Sequence, residues 1–357
     1  MGGTLLEIIF ELLVLLGILG IISNNKENPF FTVKEGKSLN SGIYIKSVFN
    51  VVPDEELSNF VRDYDNNKER LKDIFSVMPQ RATEFSAGYD LAVVNDEVIH
   101  AHESKLISFG NSVFIENPTV TGVVVPRSSL ARKRGLIIAG GAHYIYCGEG
   151  HSCLTLKFIN YSDTDVELKV GDKIAQVVFI KYPSWIIGDF KDMCELETNK
   201  SSIFPDPLDE TFMSPLLDKN IEVVFTMQGY DKVDQTDRLC YYFQSLKDVE
   251  LEPGKVTCIM TGLRCKIDGN QVFLLKNAFN NPCVELANTI GVIDSDYYDN
   301  PDNAGEMGVL LLNRGNVPVK VNKGDVIASG AVYYYEKADG DVYGGKRVGG
   351  FGSTDTK

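Results

Sequence analysis

No Cys-X-X-Cys pair occurs among these 357 residues, and the seven cysteines are odd in number. Both facts fit a reducing compartment better than a disulfide framework. Positive charge is also short: 35 Lys and Arg stand against 49 Asp and Glu, a net charge of −14. That balance argues against a general nucleic-acid binder, which carries a basic face. An acidic protein can still bind a polyphosphate, provided a few cations and a divalent metal are focused locally. Lys and Arg are missing, too, ahead of the apolar N-terminus, so a secretory leader fits poorly.

That N-terminal run is the one long hydrophobic stretch. Residues 12–22 are apolar apart from two glycines, and Leu5 to Phe10 extend the run around Glu7 and Glu11. Residues 4–22 are just long enough to span a bilayer with the glutamates near one interface. The other reading is a helix over residues 1–25 packed against the protein body or in an oligomer. Lys26 and Lys34 follow, a charge placement that keeps the bulk of the chain cytoplasmic, membrane-associated or not.

The remainder has an ordinary globular composition and enough length for two domains. Residues 53–78 read as a helical insertion, with Pro53, Asp54, Glu55 and Glu56 in a first turn and Leu57, Phe60, Val61, Leu71, Ile74 and Phe75 at mostly helical spacing. Elsewhere short β-branched and aromatic runs alternate with Gly, Pro, Asn and Asp. Residues 120–125, 152–159, 175–180, 272–275, 308–312 and 331–335 are the clearest strands. The expected fold is all-β, a sandwich or barrel.

An internal repeat makes that two barrels. Asn160 stands eleven residues before Gly171-Asp172-Lys173-Ile174-Ala175-Gln176, and Asn313 eleven before Gly324-Asp325-Val326-Ile327-Ala328-Ser329. The offset of 153 residues suits one duplicated domain. The expected division is a first domain over 40–186, an acidic, Pro-containing linker over 187–219, a second domain over 220–340 and a mobile tail over 341–357.

Five segments concentrate chemistry. Ala87-Gly88-Tyr89-Asp90-Leu91 offers a tight turn and a carboxylate able to orient a neighbour or a metal-bound water. Pro126-Arg127-Ser128-Ser129-Leu130 offers a planar cationic fork beside hydroxyls, tools for gripping phosphate; its bland reading is a polar helix start capped by Ser128. Gly171 to Gln176 ends in an amide donor. Asn288 begins a segment that continues through Gly291, Ile293, Asp294 and Tyr297, an apolar hairpin with a carboxylate and an aromatic. Lys346 and Arg347 open a glycine-rich tail with Phe351, Gly352 and Ser353, free to stack on a base.

In this order AGYDL (87–91), PRSSLA (126–131), GDKIAQ (171–176), GVIDSDY (291–297) and GGFGST (349–354) resemble the five motifs of the dUTPase family, over about residues 81–354. The resemblance implies distorted jelly-roll barrels, usually trimeric, with sites shared between subunits. Here the motifs divide along that same line. The first repeat keeps motifs one, two and four, but its hairpin counterpart, residues 139–149, has no aspartate. The second repeat has motif three and the tail, but residues 275–283 lack the Arg-Ser pair and Ser329 replaces Gln176. One pooled site per chain follows, similar in principle to the single-chain herpesvirus enzymes, and a monomer is favoured over a homo-oligomer.

The resemblance further implies dUTP as substrate, Mg²⁺ as cofactor and Asp294 as the base that activates water. Tyr297 would pack on the deoxyribose, and Asn288 with Gly291 and Ile293 of the hairpin would read the uracil edge. Arg127, Ser128, Ser129 and Gln176 would hold phosphates, Asp90 would assist through water, and Phe351, Gly352 and Ser353 would close the site. Two departures stand out. Counting back from Phe351 puts Lys346 at the family's tail arginine, with Arg347 one place late, and an acidic insert, residues 298–304, follows Tyr297.

Three competing readings remain. His143, Cys147, His151 and Cys153 share one face of an extended segment, a set zinc could use, though the spacing matches no zinc motif. dCTP deaminase, which shares the fold, would need a glutamate where Lys157 and Leu310 stand. A catalytically inactive nucleotide-binding or regulatory protein is the rival of a different class.

Overall fold

The computed structural model describes residues 43–47, 79–148, 154–181, 224–227, 230–234, 241–339, 341, 343–347 and 349–350. The N-terminal apolar run, the 53–78 insertion, the 187–219 linker and Phe351, Gly352 and Ser353 lie outside these residues, as do His151 and Cys153 of the zinc reading. Among the described residues no helix is long and apolar enough to cross a membrane, and the architecture is all-β.

The first half builds a five-stranded sheet in the order Gln80–Arg81, Gly88–Ala92, Lys173–Lys181, Val120–Pro126, His143–Ile145. A three-stranded sheet, Ser104–Ser108, Thr155–Asn160 and Leu136–Ile138, encloses the same core. The second half repeats the plan. Val326–Tyr334 lies between Tyr241–Gln244 and Gln271–Asn277, as Lys173–Lys181 lies between Gly88–Ala92 and Val120–Pro126.

Local detail repeats as well. Each long strand carries one register shift at its start, which buries Ile174 in one copy and Ile327 in the other. Gly171 and Gly324 precede these strands at φ 89° and 93°, a left-handed turn that only glycine adopts without strain. The repeated asparagines do the same work: the Asn160 amide donates to the carbonyls of Ile99 and Thr164, and the Asn313 amide to those of Leu251 and Val317, all at 2.8–3.0 Å.

Strand periodicity explains how the halves adhere. On Val120–Pro126, Val120 and Val124 face the first core while Val123 and Val125 face outward. On Lys173–Lys181, Val177 and Phe179 point in and Val178 and Ile180 out. These outward residues meet Val272, Leu274 and Tyr335 of the second half. A second seam joins Ala131 and Ile137 to Ala287, Leu310 and Leu312. Side chains alternate faces along a strand, so a strand apolar on both faces must be covered twice. Burial of each such aliphatic side chain is worth roughly 1.5–3 kcal/mol.

Beyond Tyr334 the chain crosses back over the first barrel. The Glu336 amide donates to Phe179 O, the Asp339 amide to Ile43 O and the Gly344 amide to Arg81 O. Ala338 sits in the first core. The strap is fastened by Asp341, which takes a bidentate contact from the fully buried Arg81 guanidinium, at 2.7 and 2.5 Å, and the Tyr89 hydroxyl.

Candidate active site

One pocket lies where the two halves and the returning tail meet. Its walls include Gly88, Asp90, Arg127, Ser128 and Gln176 from the first half and Asn288, Gly291, Ile293, Asp294 and Tyr297 from the second. Arg347 and Gly350 come from the tail.

The first-half wall carries a paired guanidinium. Arg127 follows the end of Val120–Pro126, and its amide donates to Ile174 O, which turns the chain across the long strand. Its guanidinium lies 2.9 Å from Asp90 Oδ2, and Lys173 Nζ lies 3.2 Å from the same oxygen. Asp90 therefore orients two cations and is not itself open to direct metal ligation. Gln176 is the cross-strand partner of Asp90. Its amide lies over Gly88, where an added Cβ would stand 2.2 Å from Gln176 Oε1. Ser129 occupies the N-cap position of the helix Leu130–Arg134, not the Ser128 of the bland reading. Ser128 lines the pocket and Ser129 does not.

The second-half wall is anionic and tightly braced. Asp294 ends the strand Gly291–Asp294, with its side chain 15% exposed. The Ala87 amide of the first half donates to Asp294 Oδ1 at 2.9 Å, so motif one of one half positions the carboxylate of the other. The Thr83 hydroxyl similarly donates to Asp296 Oδ2 at 2.6 Å. Both donors belong to the turn whose Thr83, Glu84 and Ser86 carbonyls accept from Arg81. Burial pushes the Asp294 carboxyl above the usual carboxylate range, against the pull of Arg347 and the Ala87 amide, with Asp296 adding to the rise. Asn288 is buried, and its Oδ1 has no hydrogen-bond partner among the described residues.

The tail supplies the counter-charge. Arg347 donates to Asp294 Oδ2 at 2.5 Å and to Asp296 Oδ1 at 2.7 Å, above the Tyr297 ring. Lys346, the residue that counting from Phe351 selected, is exposed and lines no part of the pocket. The strap fixes the register of the tail at Gly344, and that long-range contact is invisible to motif spacing. With Arg347 in place the open cavity is about 70 Å³.

The degenerate hairpin His143–Ile145 pairs with Val120–Pro126, and Ala142 beside it packs on the inter-half seam with Ile290 and Val292. Among the described residues no group of three or more His, Cys, Asp or Glu is placed to hold a metal.

Residues 76–205 match the dUTPase family model. The deoxyuridine 5'-triphosphate nucleotidohydrolase of Lactococcus lactis is 36% identical over 119 residues, covering 32% of this chain and 79% of that protein. The chain belongs to the dUTPase family. The enzyme of the same name from Psychrobacter is 37% identical over 124 residues, covering 32% of this chain and 78% of the other. The crystal structure of dUTPase from Streptococcus mutans is 24% identical, covers 32% of this chain and 98% of its own, and gives a TM-score of 0.29. The family match holds Asp90, Arg127, Ser128 and Gln176 but stops short of Asn288, Asp294 and Tyr297.

Proposed function

We propose that this dUTPase-family chain hydrolyses dUTP to dUMP and pyrophosphate at one site pooled from its two halves. The observation that carries the reading is the Ala87 amide on Asp294: a phosphate-gripping wall and a carboxylate base from opposite halves are held in one pocket. Neither half has both.

In this reading Arg127, Ser128 and Gln176 bind the phosphate chain, with Asp90 holding Arg127 in place. Asp294 takes a proton from the water that attacks the α-phosphorus. Its buried setting makes it a stronger base than a solvated carboxylate. Asn288 offers an unused buried acceptor to the N–H of a uracil edge, and an unmet acceptor there disfavours bases that present no donor. Tyr297 is buried, its hydroxyl donating to Glu306 O and accepting from Asn303, so the ring forms a fixed wall for the sugar. Arg347 leaves Asp294 for the triphosphate, which frees the base as the phosphates arrive. Phe351, Gly352 and Ser353 then cover the base. Hydrolysis of this kind rests on positioning and charge neutralisation, the work these side chains do.

Both acids that line the pocket, Asp90 and Asp294, already face guanidinium groups. That donor set fits a Mg²⁺ carried by the phosphate chain and met by Asp90 through water, not one chelated by protein. When bound, such an ion draws charge from the phosphates in the transition state.

The domain division of 40–186 and 220–340, with one complete site per chain, makes a monomer sufficient for activity. The mass in solution of the chain lacking residues 1–25, together with its activity, tests this: an active monomer supports it, and activity confined to an oligomer overturns it. Pyrophosphate release from dUTP, measured against dCTP, dTTP and UTP, tests the substrate. The pairing of Asp294 with Arg347 is the feature that favours an inactive nucleotide-binding protein, and binding without pyrophosphate release would establish that reading instead. Lys157 is exposed and Leu310 is buried in the seam between halves, so the deaminase reading gains no acid there.

A further inference from the structure

The insert at residues 298–304, which the family pattern lacks, is built as a rigid bracket. Asn300 is 4% exposed. Its amide donates to Tyr297 O at 2.8 Å and Asn303 Oδ1 at 2.7 Å, while its Oδ1 accepts from the amides of Asp302 and Asn303. The Asn303 amide group in turn donates to the Tyr297 hydroxyl and to Glu306 O. From outside, Arg264 clamps Asp299 at 2.6 Å. The loop thus hangs on Tyr297, a wall of the pocket.

Among the described residues, this bracket meets the tail at Gly350. The Gly350 amide donates to Asp302 Oδ2 at 2.8 Å. Gly350 is buried, and a Cβ there would meet Asn303 Oδ1 at 3.0 Å and Asn300 Oδ1 at 3.3 Å. The seat therefore accepts glycine and crowds any larger residue.

We propose that Asp302, with Asn300 and Asn303, is a docking bracket for the tail glycines, which makes Asp302 a positioning residue for substrate capture. Arg347 and Gly350 are three residues apart. When Arg347 leaves the carboxylates for a triphosphate, the contact at Gly350 pins the tail on the far side of Arg347 from the Gly344 contact, so the effective concentration of Arg347 at the pocket stays high. Loss of the tether weakens substrate capture and leaves the water-activating carboxylate untouched.

The assignment to substrate capture rests on the dUTP reading; the docking itself does not, and the experiment separates them. Trypsin cleavage after Arg347 in the nucleotide-free protein reads docking alone. Asp302→Ala is expected to speed that cleavage roughly three- to tenfold, the loss of one partly exposed hydrogen bond. Asp302→Asn, which keeps an acceptor oxygen, is expected to cleave like the unaltered chain. Gly350→Ala, which leaves the bracket itself intact, is expected to match Asp302→Ala. In pyrophosphate release the same two variants should raise KM for dUTP by a similar factor with kcat changed less than twofold. In a chain ending at Arg347, Asp302→Ala should have no further effect. Unaltered cleavage in Asp302→Ala and Gly350→Ala, or an equal KM rise in the truncated chain, would overturn the proposal. Absence of turnover in the unaltered chain would count against the dUTP reading and leave the cleavage result to judge the bracket.

Discussion

Arg347 and Asp294 lie 2.5 Å apart, 53 residues distant in sequence, with side chains 9% and 15% exposed. The residue proposed to activate water is thus held by the tail in the nucleotide-free protein. Substrate binding then becomes an exchange of anions around one guanidinium. In the proposed mechanism, the carboxylates give up Arg347 when a more highly charged phosphate chain offers a bidentate alternative.

Asp294→Asn removes the base while keeping the volume and most polar contacts. It is expected to bind dUTP and to turn it over about 10²–10⁴-fold more slowly, the usual contribution of a general base. Single-turnover pyrophosphate release alongside nucleotide titration checks this, and undiminished release would discard Asp294 as the base.

The pH dependence follows from burial of Asp294. Its carboxyl is held above the usual range, and the unprotonated form is the active one, so kcat/KM falls as pH drops through that raised value. Arg347 pulls in the opposite direction, as does the Ala87 amide, while Asp296 adds to the rise. Arg347→Ala is therefore expected to move the acidic limb to higher pH as well as lowering its height. A limb that stays in place would mean that another group titrates.

Arg127→Ala would remove the guanidinium from Asp90, which is 4% exposed, and leave Lys173 3.2 Å from its carboxylate. Breaking a buried ion pair from one side costs about 3–5 kcal/mol, so this variant should unfold at markedly lower urea as well as lose phosphate affinity. Urea denaturation and nucleotide titration read the two effects separately.

Gly88→Ala should do the reverse, leaving the fold largely intact while disturbing the ligand. The new Cβ would stand 2.2 Å from Gln176 Oε1, and a flexible amide can swing away. A several-fold rise in KM with a melting temperature within a few degrees is expected; unchanged kinetics would remove Gln176 from the phosphate grip.

Arg81→Leu tests the strap. Arg81 is fully buried, and its charge is matched by Asp341 and three carbonyls. Despite the cost of burial, Asp341 and neighbouring groups hold it more firmly protonated than an ordinary arginine. The substitution leaves Asp341 without its cation and frees the turn that carries Thr83 and Ala87. A stability loss of roughly 3–5 kcal/mol is expected. Faster tryptic cleavage of the tail should accompany it.

The amino-acid sequence determined the all-β class and the 153-residue repeat, because alternation, turn glycines and the Gly-Asp turns are local and leave their mark on every strand. It also singled out Asp90, Arg127, Ser128, Gln176, Asn288, Asp294 and Tyr297, whose types and order carry the chemistry. Spacing selected Lys346, whereas Arg347 lines the pocket. That placement rests on the strap, whose register is set where Asp341 and the Gly344 amide meet Arg81, a residue distant in sequence from Phe351. Spacing did not show the insert as a bracket either, since its asparagines read as loop until Tyr297 is beside them. Which halves meet, and which oxygen faces which nitrogen across the seam, depend on contacts between residues hundreds of positions apart. Only the folded chain decides those, because hydrogen bonds and ion pairs fall off within a few ångströms and sequence distance does not measure ångströms.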